Sequence, residues 1–300
     1  MMSKDLILYR SPKIKAACNL LMKAPPVEFN NVCSNIRFLL NNDSALCRVV
    51  KRLCAKHNKE NFTPVELEGL YVLITCHNEL NNNRFLDPVR RISFKFNHLT
   101  KQANYFMPMP VQGREEAEFE LWRCAFQDAL DGYIIDHYPN GVCNVFCNIL
   151  SGERQIVACI EANNHSKSSF WNGLWKSEWV FLLRPPVTSL LGSITIQANY
   201  YETGSFNLTC TSSVEENLSL MGMKEAAQAF AEIVEKSDNK MQAALIEEYD
   251  SGSSMKSLRR QLSFIRSTLD WNSISFIGKE TLSCYSTQRN HETNQDNLLF

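Results

Sequence analysis

Between residues 13 and 57 apolar side chains return every three or four positions in three successive stripes, each followed by a polar or proline-bearing break. Ile14, Ala17 and Leu21 make the first, closed by the "APP" of 24 to 26. Phe29, Val32, Ile36, Leu39 and Leu40 make the second, which stops at "NND", and Ser44 is placed to cap a third with Leu46, Val49, Val50 and Leu53. A 3.6-residue period predicts amphipathic helices, and three in a row predict a small bundle over residues 1 to 60.

The period then drops to two. "YVLITC" at 71 to 76 and "ISFKF" at 92 to 96 read as strands, the second with Ile92, Phe94 and Phe96 on one face and Ser93 and Lys95 on the other. The intervening "NELNNNRFLDP" reads as turn, and "KQANYFMPMPVQGREEA" at 101 to 117 as loop. A helical stripe of Phe119, Trp122, Phe126, Ala129 and Tyr133, stopped at Pro139-Asn140-Gly141, completes a segment of short strands, loop and helix over 61 to 137.

From 138 to 213 come five strand-like runs, "GVCNVFCNIL", "RQIVACIEA", "LWKSEWVFLL", "SLLGSITIQANYY" and "SFNLTCT". Their short links, such as "SGE" and "YETGS", predict an antiparallel meander, because a parallel crossover needs a dozen or more residues. Residues 214 to 250 hold one long helix with Ala226, Ala227, Phe230, Ile233, Val234, Met241, Ala244 and Leu245 on its apolar face. A "SGSS" hinge opens an amphipathic segment over 251 to 280, and the polar residues 281 to 300 are expected to be disordered. The predicted class is α+β: a helical bundle, a five-stranded antiparallel meander, a long C-terminal helix over the sheet and a mobile arm. Such a sheet leaves a strand edge open, so completion by a partner subunit is expected.

Composition narrows the function. An apolar fraction of 44% supports a real core, and a net charge of −1 gives no global field, so no nucleic-acid partner is expected and any long-range attraction must come from a local patch. Eleven cysteines without regular spacing read as core thiols rather than a disulfide framework. Cys143 and Cys147 are spaced C-x3-C with no second pair, which does not fit a zinc site; neither metal nor cofactor is expected. The apolar run "LILY" near the start is too short for a signal, and no later run approaches a membrane span, so a soluble, cytoplasmic chain is expected and the sequons at Asn61 and Asn207 are accidental.

Catalytic signatures are missing: no G-x-G-x-x-G, P-loop, H-E-x-x-H or G-x-S-x-G occurs, and the expectation is that the chain is not an enzyme. The nearest approach is Asp136-His137 with Cys143, a thiol and an imidazole on neighbouring elements, against which stands the commoner structural role of a histidine at a helix end. Trp171, Trp175 and Trp179 share one strand face, either as a stacking platform for a ligand or as packing between sheet and helix.

The segment "MKSLRRQLSFIRSTLDW", 255 to 271, is different in kind. At 100° per residue Leu258, Leu262, Ile265 and Leu269 fall within an arc of roughly 60°, whereas Lys256, Arg259, Arg260 and Arg266 lie about 80 to 200° from Leu258. A helix so divided suits three roles: packing on its own domain with a solvated charged face, serving as a calmodulin or acidic-lipid target in a scaffold or sequestering protein, or binding an acidic protein surface.

"APPVEFNNV", "RFLLNND", "NRFLDPVRRISFKFNHL", "DHYPNGVCNVF", "FWNGLWKSEW", "LRRQL" and the "DW" before 272 occur in an order that resembles the alpha subunit of F-actin capping protein, over roughly residues 13 to 280. The resemblance implies an obligate heterodimer with a capping protein beta subunit, one shared antiparallel sheet, and calcium-independent capping of the barbed ends of actin filaments. It implies that the basic arm is the actin-binding tentacle, with Lys256, Leu258, Arg259, Arg260, Leu262, Ile265 and Arg266 as contacts, and that acidic phospholipids or regulatory peptides act as inhibitors. The arm departs from the family pattern at Ser263, where a proline is usual, and at Thr268, where a cation is usual. The cysteine-rich divergence and long tail resemble the germ-cell alpha isoform, which implies a cytoskeletal protein of germ cells or sperm.

Overall fold

The computed structural model describes residues 12–25, 28–40, 43–81, 83–111, 113–166, 171–200, 206–249 and 283–286. Helices α1 (Pro12–Met22), α2 (Phe29–Leu40) and α3 (Asp43–Glu60) form the predicted bundle. Proline suits the first turn of α1, where an unpaired N–H would be surplus. Leu21, Phe29, Ile36, Val49 and Leu53 close its core, with Val32 packed at the margin.

Two small antiparallel sheets follow. Strands β1 (Thr63–Leu67) and β2 (Leu70–Ile74) form a hairpin, while β3 (Glu79–Asn81), β4 (Arg84–Asp87), β5 (Ile92–Asn97) and β6 (Gln102–Pro108) pair in chain order. The stretch expected as turn therefore holds β3 and β4, and the stretch expected as loop holds β6. Asn78 explains the first difference: its amide donates to Leu73 O and Leu86 O at 2.9 Å each, tying two strands across a polar turn. Phe85, Phe94 and Phe96 fill the space between the two sheets together with Val65, Leu67, Val72 and Ile74.

Helix α4 (Gly113–His137) carries Glu115 and Glu116 in its first turn, where carboxylates complement the helix dipole. It leads into the meander β7 (Val142–Leu150), β8 (Glu153–Ser166), β9 (Trp171–Leu182), β10 (Val187–Tyr200) and β11 (Phe206–Ser219), all antiparallel as expected. The β7–β8 link has two residues, Ser151 and Gly152, both with positive φ (52° and 83°), the pattern of a type I′ turn that follows strand twist. Helix α5 (Met223–Tyr249) then crosses the sheet. A sixth strand, β12 (Ser283–Ser286), pairs with Leu208–Thr211 of β11, so four residues of the tail expected to be disordered extend the sheet.

Strand alternation gives the sheet two different faces. On one, Ile156, Ala158 and Ile160 of β8, Trp175, Trp179 and Phe181 of β9, and Leu190, Ile194 and Ile196 of β10 pack under α4 and α5, which supply Phe126, Leu130, Phe230 and Val234. On the other, the β7–β9 half is covered by the β1–β2 hairpin through Phe62, Leu73, Phe146, Val157 and Cys159. The β10–β11 half of that face presents Ser193, Thr211, Ser213, Glu215 and Asn217, all exposed. No helix among the described residues is long and apolar enough to cross a membrane.

Candidate functional site

The seven residues expected to contact actin, Lys256, Leu258, Arg259, Arg260, Leu262, Ile265 and Arg266, lie outside the described residues, as does the hinge before them. What the structure does define is the helix that precedes that segment in the chain. Helix α5 runs to Tyr249 and is anchored in the domain through its buried face.

The anchor is Asp238, fully buried on α5. Its Oδ2 accepts hydrogen bonds from the hydroxyls of Tyr133 (2.7 Å) and Tyr138 (2.6 Å), and Oδ1 from Gln242 one turn on (3.3 Å). Charge-assisted bonds of this kind are about twice as strong as neutral ones, and a buried carboxylate without them would be costly. One turn earlier Glu235 lies 3.2 Å from Nε2 of His137. Phe230 adds apolar contact, edge-on to Phe126 at 5.5 Å and to Trp179 at 6.2 Å. Sequence reasoning missed Asp238, although a signal exists: the stripe Ala227, Phe230, Val234, Met241 has a carboxylate where an apolar residue should stand at 238.

The tryptophans are packing, not a platform. Trp175 and Trp179 are fully buried, Trp175 stacked on Tyr138 at 4.4 Å and Trp179 donating its indole N–H to Ser177 Oγ at 2.9 Å; the side chain of Trp171 lies outside the described set. The thiol and imidazole near the end of α4 do not pair either. Cys143 donates to Asp131 at 3.1 Å while His137 faces Glu235, and burial pushes the Cys143 thiol well above its ordinary value. Burial likewise pushes Cys147 up to about 12, which disfavours the thiolate that a metal needs. Among the described residues no group of three or more His, Cys, Asp or Glu is placed to hold a metal.

The second feature is the far edge of the sheet. β12 covers only Leu208–Thr211, so Ser212–Ser219 of β11, paired with β10 on its inner side, has no strand on its outer side among the described residues. The face next to this edge is the exposed polar one, with Thr195 and Thr211 paired across strands at 3.3 Å. An open edge flanked by an uncovered face is an element that a second chain can extend.

Residues 17–280 match the family of the F-actin capping protein alpha subunit. The chain belongs to that family. It is 33% identical over 271 residues to F-actin-capping protein subunit alpha-3 of Rattus norvegicus, covering 89% of this chain and 90% of the relative. To the F-actin-capping protein subunit alpha of Caenorhabditis elegans it is 35% identical over 269 residues, 87% of this chain and 93% of that one. The solved structure of a homodimeric actin capping protein alpha subunit from Plasmodium berghei superimposes with a TM-score of 0.67 at 19% identity, over 84% of this chain and 95% of that one, and so shares the fold. The chain thus keeps the α+β architecture of that solved relative, and its relatives are named for capping rather than for a catalysed reaction.

Proposed function

We propose that this chain is the alpha subunit of a heterodimer with a capping protein beta subunit that binds the barbed ends of actin filaments, without need of calcium, and blocks subunit exchange there. Family membership over residues 17–280 carries the reading. The open stretch of β11 supports it, since eight edge residues of a long strand invite aggregation unless a partner adds strands. The basic face of residues 256 to 266 would meet acidic actin surface, and the leucine face would dock in an apolar groove. Acidic phospholipids or regulatory peptides would compete for the same basic face. A cytoplasmic, cytoskeletal location follows from this role, and the similarity to alpha-3 supports one in germ cells.

A second reading of assembly has its own observation: the alpha subunit from Plasmodium berghei is described as homodimeric, so self-association at the β11 edge competes with pairing to beta. Coexpression with a beta subunit followed by size-exclusion chromatography with light scattering separates the two. A 1:1 complex is expected, and a stable homodimer that excludes beta overturns the heterodimer. Function is then tested by barbed-end elongation, with the complex truncated after Asp250 as the comparison. Capping by the full complex and its loss on truncation are expected. Full capping by the truncated complex removes the arm from the mechanism. A scaffold that binds calmodulin or lipid through the same helix predicts no effect on elongation at all.

A further inference from the structure

The outer face of the β3–β6 sheet sets two cations against each other. Strand alternation turns Phe85, Phe94 and Phe96 inward, so Arg84 of β4 and Ser93 and Lys95 of β5 lie on the outer face. Arg84 and Lys95 are direct cross-strand partners in the register. Like charges placed opposite each other on a sheet repel. Arg90, Arg91, Arg123, Arg154 and Arg184 each pair with a carboxylate. Arg84 and Lys95 do not: among the described residues Arg84 is bonded only to Ser93 and Tyr105, and Lys95 meets only the Tyr105 ring.

Both cations are held in place rather than splayed apart. Arg84 donates through Nη1 to Ser93 Oγ at 2.9 Å, to Ser93 O at 3.4 Å and to Tyr105 O at 3.2 Å. Its Nε and Nη2 take no part in these bonds, which leaves the edge of the guanidinium that receives a carboxylate bidentately. Lys95 Nζ lies over the Tyr105 ring, 5.3 Å from its centroid. A β-bulge puts that ring there: Ser93 pairs with Met107 and Lys95 with Asn104, so Tyr105 and Phe106 stand against Phe94 alone. Tyr105 has φ 54°, a left-handed conformation that a bulky residue keeps only where its surroundings hold it. Tyr105 and Met107 are nevertheless 70% and 55% exposed, and β6 has no strand on its outer side among the described residues.

We propose that Arg84, Lys95, Tyr105 and Met107 form a docking surface for an acidic, partly apolar segment of a partner protein lying along β6. A carboxylate of that segment accepts from Nε and Nη2 of Arg84 beside the Lys95 ammonium, which removes the repulsion between the two cations. A neighbouring apolar side chain of the same segment covers Tyr105 and Met107. Charge complementarity fixes the sign of the occupant, because the outward residues beside the cations on β6, Gln102 and Asn104, are neutral. A membrane fits less well, since basic patches that hold anionic lipid gather about four to eight Lys or Arg. A small inorganic anion would leave the exposed Tyr105 and Met107 uncovered.

The test uses the full chain purified with a capping protein beta subunit and a photo-crosslinking peptide, Glu-Leu-Glu-Bpa-Glu-Leu-Glu, where Bpa is benzoylphenylalanine. The same peptide with glutamine in place of glutamate is the control, and adducts are located by mass mapping. The acidic peptide should label residues 105 to 109 at least about tenfold more than the control does. Arg84→Lys, which keeps the charge but removes the bidentate edge, and Lys95→Gln should each lower that labelling by about fivefold or more and leave labelling elsewhere on the chain unchanged. Lys95 is exposed, so Lys95→Gln decides the matter if Arg84→Lys fails to fold. Labelling confined to other parts of the chain overturns the surface, as does unchanged labelling in folded Lys95→Gln. Cosedimentation with phosphatidylserine vesicles that Lys95→Gln abolishes, without labelling by the acidic peptide, assigns the face to lipid and overturns it as well. None of these readouts involves actin, so the surface and the capping reading fail independently.

Discussion

The hydroxyl of Tyr138, one residue beyond the end of α4, donates to the buried carboxylate of Asp238 on α5 across 2.6 Å, and the same ring stacks on Trp175 at 4.4 Å. One side chain just beyond α4 thus joins α5 to the sheet. Asp238→Ala would leave two buried phenols without their acceptor, at an expected cost of about 2 to 4 kcal/mol; Tyr138→Phe, which keeps the stack, should cost about 1 to 2 kcal/mol. Urea unfolding of the purified complex measures both. The double variant Tyr138→Phe with Asp238→Asn should be less destabilised than the sum of the singles, and strict additivity would show that the two groups do not interact.

Two glycines should respond to alanine with opposite signs. Gly192 of β10 sits opposite Trp179 in register, and a Cβ there would overlap the indole ring, so Gly192→Ala should destabilise by roughly 1 to 3 kcal/mol through overpacking. Gly132 lies in the interior of α4 with nothing within 4 Å of a built Cβ. Gly132→Ala should therefore stabilise by about 0.5 to 1 kcal/mol, because helical glycine carries an entropic cost and no packing benefit. Thermal melts of the two variants side by side read the difference.

Glu161 of β8 supplies a pH dependence with a definite sign. Burial raises its carboxyl to about 8, partly opposed by the hydrogen bond from Asn163 and by the Lys101 and Lys176 charges. A folded value above the unfolded one means that the native state holds the extra proton, so its stabilisation is complete below about pH 4.3 and is lost as pH rises towards 8. Glu161→Gln mimics the protonated form. It should melt close to the parent near pH 5 and be more stable by roughly 2 to 4 kcal/mol at pH 8.5. A variant less stable than the parent at pH 8.5 would mean that the carboxylate, not the acid, is the native species.

How much of this was legible beforehand depends on whether local pattern or distant contact decides each element. The stripes Ile14-Ala17-Leu21 and Phe126-Ala129-Tyr133 predict their helices because burial selects the same period that the backbone imposes. β6 was not legible: Gln102 and Tyr105–Pro108 are exposed, Tyr105 has φ 54° at an irregularity in the pairing, and only β5 beside it makes this a strand. β3 and β4 depend on the Asn78 bridges, which composition alone reads as a turn. The basic and apolar faces of residues 255 to 271 are legible in the sequence, and their role as an actin-binding arm belongs to the proposal above. His77 and Glu178 meet at 3.2 Å from 101 positions apart, so no spacing rule brings them together.

The last prediction divides the arm by face, and it rests on the proposed binding to filament ends. Exposed cations act mainly before contact, steering encounter with an acidic surface, and each contributes about 1 kcal/mol or less. Neutralising Arg259, Arg260 and Arg266 together should therefore slow capping and flatten its salt dependence while changing dissociation little. Leu258, Leu262 and Ile265 act after contact. Burying each such side chain contributes roughly 1.5 to 3 kcal/mol, so single alanine substitutions should accelerate uncapping by about tenfold or more with association nearly unchanged. Elongation from seeds at low and physiological salt gives the association rate, and dilution of capped filaments gives the dissociation rate. Ser263 enters the same logic: without the proline usual at that position the helix can run unbroken from Leu258 to Leu269, so Ser263→Pro should shorten the docked leucine face and weaken retention more than association. A charge-neutralised complex that is intact by light scattering yet caps at the parent rate under both salt conditions would be incompatible with electrostatic steering by this arm.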